Sequence, residues 1–129
     1  MSEYYKPSIE ELHVEQEYEF RNKGTYPNWI ALKGRTHEDY YLTLINYFNN
    51  EYRIKYLDEQ DVLDLGWEKI RDNYYSKPPF DLNLHSTKGL ITLGNQEWEP
   101  ICLYIKSKYD LQRQMKFLGI PLPKNTIYD

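Results

Sequence analysis

Four side chains capable of chemistry recur at alternate positions near the N terminus: His13, Glu15, Glu17 and Glu19. A β-strand presents alternate residues on one face, so a strand here would place one imidazole and three carboxylates on a shared surface. Such a surface could hold a divalent cation or contact a basic partner. Because an exposed sheet face also requires alternating charge, we interpret the set as a solvated acidic strand face. If it has a function, a basic protein partner is favoured over a metal.

The other residues that could take part in catalysis give weaker evidence of an active site. Cys102 could act as a nucleophile with His85 or His37 as its base, but it lies in the apolar run ICLYI, which predicts a buried structural thiol. The acidic run at Asp58, Glu59, Asp61 and Asp64 is typical of a capped helix start. Phosphate-binding glycine loops and paired metal-ligand motifs are absent from the sequence. We therefore assign no catalytic residue, metal or cofactor, and a small hydrolase that uses His13 or His85 is the least favoured hypothesis.

A second set of candidate residues interleaves cations with aromatic rings. Its members are Arg53, Lys55, Lys106, Arg113 and Lys116. Rings with basic flanks can bind single-stranded nucleic acid by stacking on its bases. Two features oppose this reading: strand alternation directs Tyr52 and Tyr56 away from Arg53, and the chain has a net charge of -4. Single-stranded nucleic-acid or nucleotide binding is therefore the alternative hypothesis.

The composition of the chain indicates what kind of fold must position these residues. A chain of 129 residues with 40% hydrophobic side chains predicts one folded domain. The sequence has neither a membrane-length apolar run nor a hydrophobic leader, and its one cysteine fits a reducing compartment. We expect a cytoplasmic protein that does not contact membranes. Residues 1–65 are acidic and residues 66–129 slightly basic, so the two halves differ in the sign of their charge.

The first half predicts three extended or helical elements. Alternation predicts a strand from Leu12 to Phe20, followed by a turn and a second strand from Trp29 to Lys33 that would complete a hairpin. Apolar spacing predicts a helix from Thr36 to about Phe48, although the richness of residues 37–48 in β-formers leaves a strand open. Alternation predicts a further strand from Tyr52 to Leu57.

The second half has clearer boundaries. Asp58 caps a short helix that ends at Gly66, and Ser107 caps a helix that ends at Gly119. Between them, FDLNLH, LITL and PICLYI predict three strands separated by turn residues, and the chain from about residue 120 is an irregular tail. The expected fold class is α+β, with a small, mostly antiparallel sheet and two to three short helices.

Three segments together carry a resemblance: PSIEELHVEQEYEF, YRIKYLDEQDVLDLGWE and YIKSKYDLQRQMKFLGI. Their order and spacing resemble a group of short uncharacterised proteins of Bacteroidetes and their phages, crAss-like phages included. The resemblance implies a phage or mobile-element accessory protein and transfers no functional residues. The leading hypothesis is a non-catalytic binding or inhibitory module whose partner is a host protein or defence complex. The oligomeric state is left open.

Overall fold

The computed structural model describes residues 3–12, 16–22, 24, 26–32, 47–48, 50–95 and 97–123. The chain divides into two compact units, Met1–Lys55 and Tyr56–Asp129, each built on its own antiparallel sheet. The predicted α+β class is confirmed, with the strands divided between two sheets. Two compact units are not by themselves two domains, so the single-domain expectation stays a prediction.

The first unit contains a four-stranded sheet in the order β1-β4-β2-β3. Its strands are β1 (Tyr4–Tyr5), β2 (Tyr18–Asn22), β3 (Tyr26–Leu32) and β4 (Glu51–Lys55), and a 3-10 helix spans Ile9–Glu11. One face packs a small core formed by Leu12, Tyr18, Tyr52 and Ile54. Since Tyr52 and Ile54 are two apart on β4, the alternation that predicted this strand also predicted its buried face correctly.

The first predicted strand is partly wrong. The strand begins at Tyr18 rather than Leu12, since Leu12 directly follows the 3-10 helix and is fully buried, and residues 13–15 lie outside the described residues. The hairpin with the next strand is confirmed, although β3 begins at Tyr26. The helix-or-strand question at residues 37–48 falls outside the described residues, apart from a turn at residues 47–48.

The second unit contains a five-stranded antiparallel meander, β5 through β9 in chain order. Two α-helices, α1 (Glu59–Asp64) and α2 (Lys108–Leu118), flank the meander in sequence. The strands are β5 (Glu68–Arg71), β6 (Tyr74–Lys77), β7 (Phe80–Leu84), β8 (Leu90–Asn95) and β9 (Trp98–Tyr104). The three strands and both helices predicted for this half are therefore confirmed, and the stretch after Gly66 forms the hairpin of β5 and β6.

The ends of both helices follow from local chemistry. The Asp58 carboxylate accepts a hydrogen bond from the Asp61 backbone N–H at 3.0 Å, and the Ser107 hydroxyl accepts one from the Asp110 N–H at 3.2 Å. Gly66 and Gly119 follow the helices with φ of 92° and 75°. Because side chains are disfavoured at such left-handed angles, glycine lets the chain turn away there.

The core of the second unit lies between one sheet face and the helices. Its fully buried members include Leu82 and Leu93 from the sheet and Leu111 and Met115 from α2. The Trp67 indole N–H lies 3.4 Å from the Met115 sulfur inside this core. Beyond α2, Ile120 is buried and residues 121–123 have no regular secondary structure. Neither helix in the described part of the chain is long and apolar enough to cross a membrane.

Candidate binding site

The second unit contains a cleft of about 450 Å³. Three separate segments surround it: the start of α1, the turn between β5 and β6, and the loop between β7 and β8. Apolar side chains, including Leu84, Ile91 and Ile105, share its lining with ionisable ones. The ionisable lining residues are Asp58, Glu59, Lys69, Asp72, Tyr75, His85 and Lys88. An apolar lining with a few polar groups is typical of a ligand-binding site.

An ion-pair triad, formed by Glu59, Lys69 and Asp72, spans one side of the cleft. The Lys69 Nζ lies 2.7 Å from Glu59 Oε1 and 3.2 Å from Asp72 Oδ1. The buried Tyr75 hydroxyl donates a hydrogen bond of 3.1 Å to the same Glu59 oxygen. The α1 start, β5 and β6 are thereby tied together at Glu59, and Asp72 in the β5–β6 turn joins them through Lys69.

These contacts fix the protonation states of the groups involved. The hydrogen bond from Lys69, with a second from Tyr75, lowers the pKa of Glu59, and the hydrogen bond to Glu59 raises the pKa of Lys69. Burial, followed by the hydrogen bond to Glu59, raises the pKa of Tyr75 to about 12. In all three groups the pKa moves further from neutral pH. A general acid or base that works near neutral pH needs its pKa moved toward neutrality, which none of these contacts does.

The sequence prediction that Cys102 is buried is wrong. Cys102 is exposed, because β9 is an edge strand of the sheet and alternation in ICLYI directs this thiol to the outer face. The Thr92 hydroxyl lies 3.6 Å from the Cys102 sulfur and 2.5 Å from His85 Nε2. A threonine thus separates the thiol from the imidazole, and Cys102 does not line the cleft. This geometry gives no support to a Cys102–His85 nucleophile pair, and His37 lies outside the described residues.

The polar face of the first sheet carries alternating ions and rings. Arg53 on β4 forms an ion pair with Glu19 on the adjacent strand β2, at 2.5 Å from nitrogen to oxygen. Its guanidinium carbon lies 3.8 Å from the centroid of the Tyr4 ring and 4.2 Å from that of Trp29. Arg21 repeats the pattern, with Glu51 at 2.8 Å and the Trp29 centroid at 4.4 Å. Cations therefore already cover the rings of this face.

Within the described part of the chain, the two predicted site sets meet at the Glu19–Arg53 ion pair. Glu17 is exposed just before β2, whereas His13 and Glu15 lie outside the described residues. Lys55 is half-buried on β4, on the same face as Arg53. An acid predicted for one surface and a base predicted for another thus neutralise each other, because β2 and β4 are neighbours.

The other three predicted basic residues belong to the second unit. Arg113 and Lys116 lie on α2, both exposed, and Lys106 is half-buried just before that helix. The Arg113 guanidinium carbon lies 5.6 Å from the centroid of the Tyr109 ring. None of the three lines the cleft, and each therefore remains a surface cation rather than part of the concave site.

Sequence reasoning missed the triad. Glu59 was interpreted as part of a helix start and Lys69 and Asp72 were not singled out, since nothing in their spacing joins them. The sequence indicates that Lys69 and Tyr75 lie close together only once β5 and β6 are recognised as a hairpin. That pairing puts Lys69 directly opposite Tyr75. Among the described residues, no group of three His, Cys, Asp or Glu side chains is arranged to hold a metal ion.

Comparisons with known proteins give little further information. No family model matches the chain. The chain is 34% identical to Protein Ycf2 of Physcomitrium patens over an alignment of 73 residues. That alignment covers 46% of this chain and 3% of the moss protein. No solved structure matches. The chain spans a very small part of the relative's length, so this similarity assigns it neither a family nor an activity.

Proposed function

We propose that the chain is a non-catalytic protein-binding module and that a segment of its protein partner occupies the cleft of the second unit. The carrying observation is the Glu59–Lys69–Asp72 triad, which fixes two negative charges and one positive charge beside an apolar lining. A peptide with a cationic and an apolar side chain complements that pattern. Electrostatic complementarity of this kind gives a binding site its specificity.

The polar face of the first sheet supports a protein partner over single-stranded nucleic acid. Base stacking needs open ring faces, whereas Trp29 already contacts two guanidinium groups. Phosphate binding needs cations to be available, whereas Arg53 and Arg21 are already paired with carboxylates. A nucleic acid would have to displace these contacts before it gained its own.

The biological setting of the proposal rests on the sequence resemblance. A phage or mobile-element accessory protein acts in the cytoplasm of its host, and binding alone is enough to occlude a host enzyme or defence complex. The single cysteine is compatible with that reducing compartment. Inhibition of a host protein is therefore the form of binding that we propose.

Affinity capture from a Bacteroidetes lysate, with and without nuclease, tests the proposal. The informative variant is Lys69→Glu, which reverses the central charge of the triad. Lys116→Glu is the matched control, because it makes the same change at an exposed position outside the cleft. We expect the wild type and the control to retain one host protein regardless of nuclease, and Lys69→Glu to lose it while keeping its circular dichroism spectrum.

Two outcomes would contradict the proposal in different ways. Recovery that disappears with nuclease would transfer support to the nucleic-acid hypothesis. Recovery that both variants reduce equally, or that neither reduces, would mean that the partner does not use the cleft.

A further inference from the structure

Another cavity, of about 260 Å³, lies in the first unit. The segment that follows β1, the turn at residues 47–48 and residues 50–52 surround it. Within the described part of the chain, its lining residues are Lys6, Pro7, Tyr47, Phe48, Asn50 and Tyr52. Because Tyr52 alternates with Arg53 along β4, the cavity lies on the opposite face of the sheet from the Arg53 ion pair.

Aromatic rings form one wall of this cavity and are anchored in the core of the unit. The Tyr47 ring is stacked on the Tyr52 ring, with 5.7 Å between centroids, and Tyr52 is 6% exposed. The Tyr47 hydroxyl donates a hydrogen bond of 2.8 Å to the Pro7 carbonyl. Phe48 packs edge-to-face on Tyr47 at 5.2 Å and is 91% exposed. An anchored tyrosine therefore holds an open phenylalanine ring beside the cavity.

The Lys6 ammonium gives the same cavity a positive charge. An exposed phenylalanine alone is ordinary on a protein surface, so the polar groups beside it decide what it could bind. Lys6 is exposed, is the one charged residue of the described lining and forms no ion pair with another described residue. Residues 1–65 are acidic as a whole, so affinity for an anion would be a local property of this cavity. A lysine in this position suits a phosphate group.

Asn50 adds a hydrogen-bonding group to the lining. Its Oδ1 accepts a hydrogen bond from Asn22 Nδ2 at 2.9 Å, and its Nδ2 donates one to the Tyr52 hydroxyl at 3.2 Å. A side-chain amide has two N–H donors and two acceptor lone pairs, so these contacts leave one of each. A donor beside an acceptor is the pattern with which asparagine recognises adenine, whose edge offers N7 as acceptor and the N6 amino group as donor.

We propose that this cavity binds a free adenine nucleotide, with the base stacked on Phe48, the Asn50 amide at the adenine edge and the phosphate paired with Lys6. Every base can stack on an aromatic ring, and the exposed Lys6 places the phosphate at the open rim. One ammonium group suits a monophosphate better than a triphosphate. The site uses none of the basic residues predicted from the sequence for nucleotide binding, and it is independent of the cleft in the second unit.

Chemical-shift titration of the full chain with AMP, followed by NMR, tests the site. GMP should bind at least about fivefold more weakly than AMP, because its edge offers two acceptors where Asn50 matches a donor and an acceptor. Phe48→Ala should weaken AMP binding at least about fivefold through the loss of base stacking. Phe117→Ala is the matched control, since it makes the same change at a phenylalanine of α2 that is 84% exposed, and it should leave the affinity unchanged.

Lys6→Gln separates the phosphate contact from the base contacts. It should weaken AMP binding at least about tenfold, the loss expected for a hydrogen bond to a charged group. The affinity for adenosine, which has no phosphate, should stay the same. Lys116→Gln makes the same change at an exposed position on α2 and should alter neither affinity. Circular dichroism confirms that each variant is folded.

Four results would overturn the proposal. The first is a failure of AMP to bind at millimolar concentration. The second is inorganic phosphate that binds as tightly as AMP, which would leave only an anion site. The third is AMP binding that neither Phe48→Ala nor Lys6→Gln reduces. The fourth is an oligo(dA) strand that binds far more tightly than AMP, which would make a single strand the ligand in place of a free nucleotide.

Discussion

The Tyr75 hydroxyl should make the protein lose folding stability at alkaline pH, and the substitution Tyr75→Phe tests this effect by itself. Tyr75 is 1% exposed and donates to Glu59, and its pKa is raised to about 12 from the ordinary value of about 10. The folded state thus retains a proton that the unfolded chain releases first. The stabilisation is fully present below pH 10 and is lost as the pH rises toward 12.

The size of this effect follows from the two pKa values. At pH 11 the unfolded chain gains at most about 1.4 kcal/mol from ionising Tyr75, by proton linkage. Because phenylalanine does not ionise, Tyr75→Phe removes this loss of folding stability at high pH. The substitution also removes the hydrogen bond to Glu59, which contributes about 1 kcal/mol. The variant should therefore be less stable than the wild type at pH 8, equal to it near pH 11 and more stable above that pH.

Denaturant unfolding monitored by circular dichroism between pH 8 and pH 11.5 measures this crossover. Tyr104→Phe is the matched control, because it makes the same change at a side chain that is 66% exposed and hydrogen-bonds to neither Glu59 nor Lys69. The remaining tyrosines cancel when the wild type and each variant are compared at one pH. A difference between the wild type and Tyr75→Phe that stays constant over the whole range would refute the assigned cause.

Three further predictions concern the second unit, all measured by denaturant unfolding. Ser107→Ala removes the cap of α2 and should cost about 1 kcal/mol, with Ser107→Asp restoring most of it; no recovery would contradict the capping role. Gly119→Ala should cost about 1 kcal/mol from its φ of 75° alone, since open space surrounds the position, and Gly119→Asn should cost less. Leu82→Ala should cost about 2–5 kcal/mol in the core, whereas Ile70→Ala, at 52% exposure, should cost under about 0.5 kcal/mol.

Local chemistry made much of the fold predictable. Helix ends at Gly66 and Gly119 were correct because left-handed backbone angles favour glycine whatever surrounds them. Strand β4 was correct because strict alternation leaves one face to bury. Burial of Cys102 was wrong for a related reason: an apolar run indicates a strand, but its position at the edge of a sheet depends on strand order, which the run does not contain.

The site was less predictable because its contacts join distant segments. Glu59 and Lys69 come from a helix and a hairpin, and Glu19 and Arg53 come from strands 34 residues apart. Charge patterning along the chain indicated an acidic surface and a basic one. Strand pairing placed Glu19 beside Arg53, so one member of the acidic set forms an ion pair with one member of the basic set.

Pairing of charges inside the cleft has a different consequence from pairing on the sheet face. On the sheet face, the guanidinium groups of Arg21 and Arg53 are occupied by both carboxylates and rings. In the cleft, the Glu59 carboxylate is paired with Lys69 and accepts a hydrogen bond from the buried Tyr75 hydroxyl beside an apolar lining, whereas the Asp72 side chain that also pairs with Lys69 is 94% exposed. A site whose side chains are already ordered loses less conformational entropy when a partner binds. The ordered Glu59 carboxylate is therefore the group in the cleft on which our proposal of a bound partner depends most.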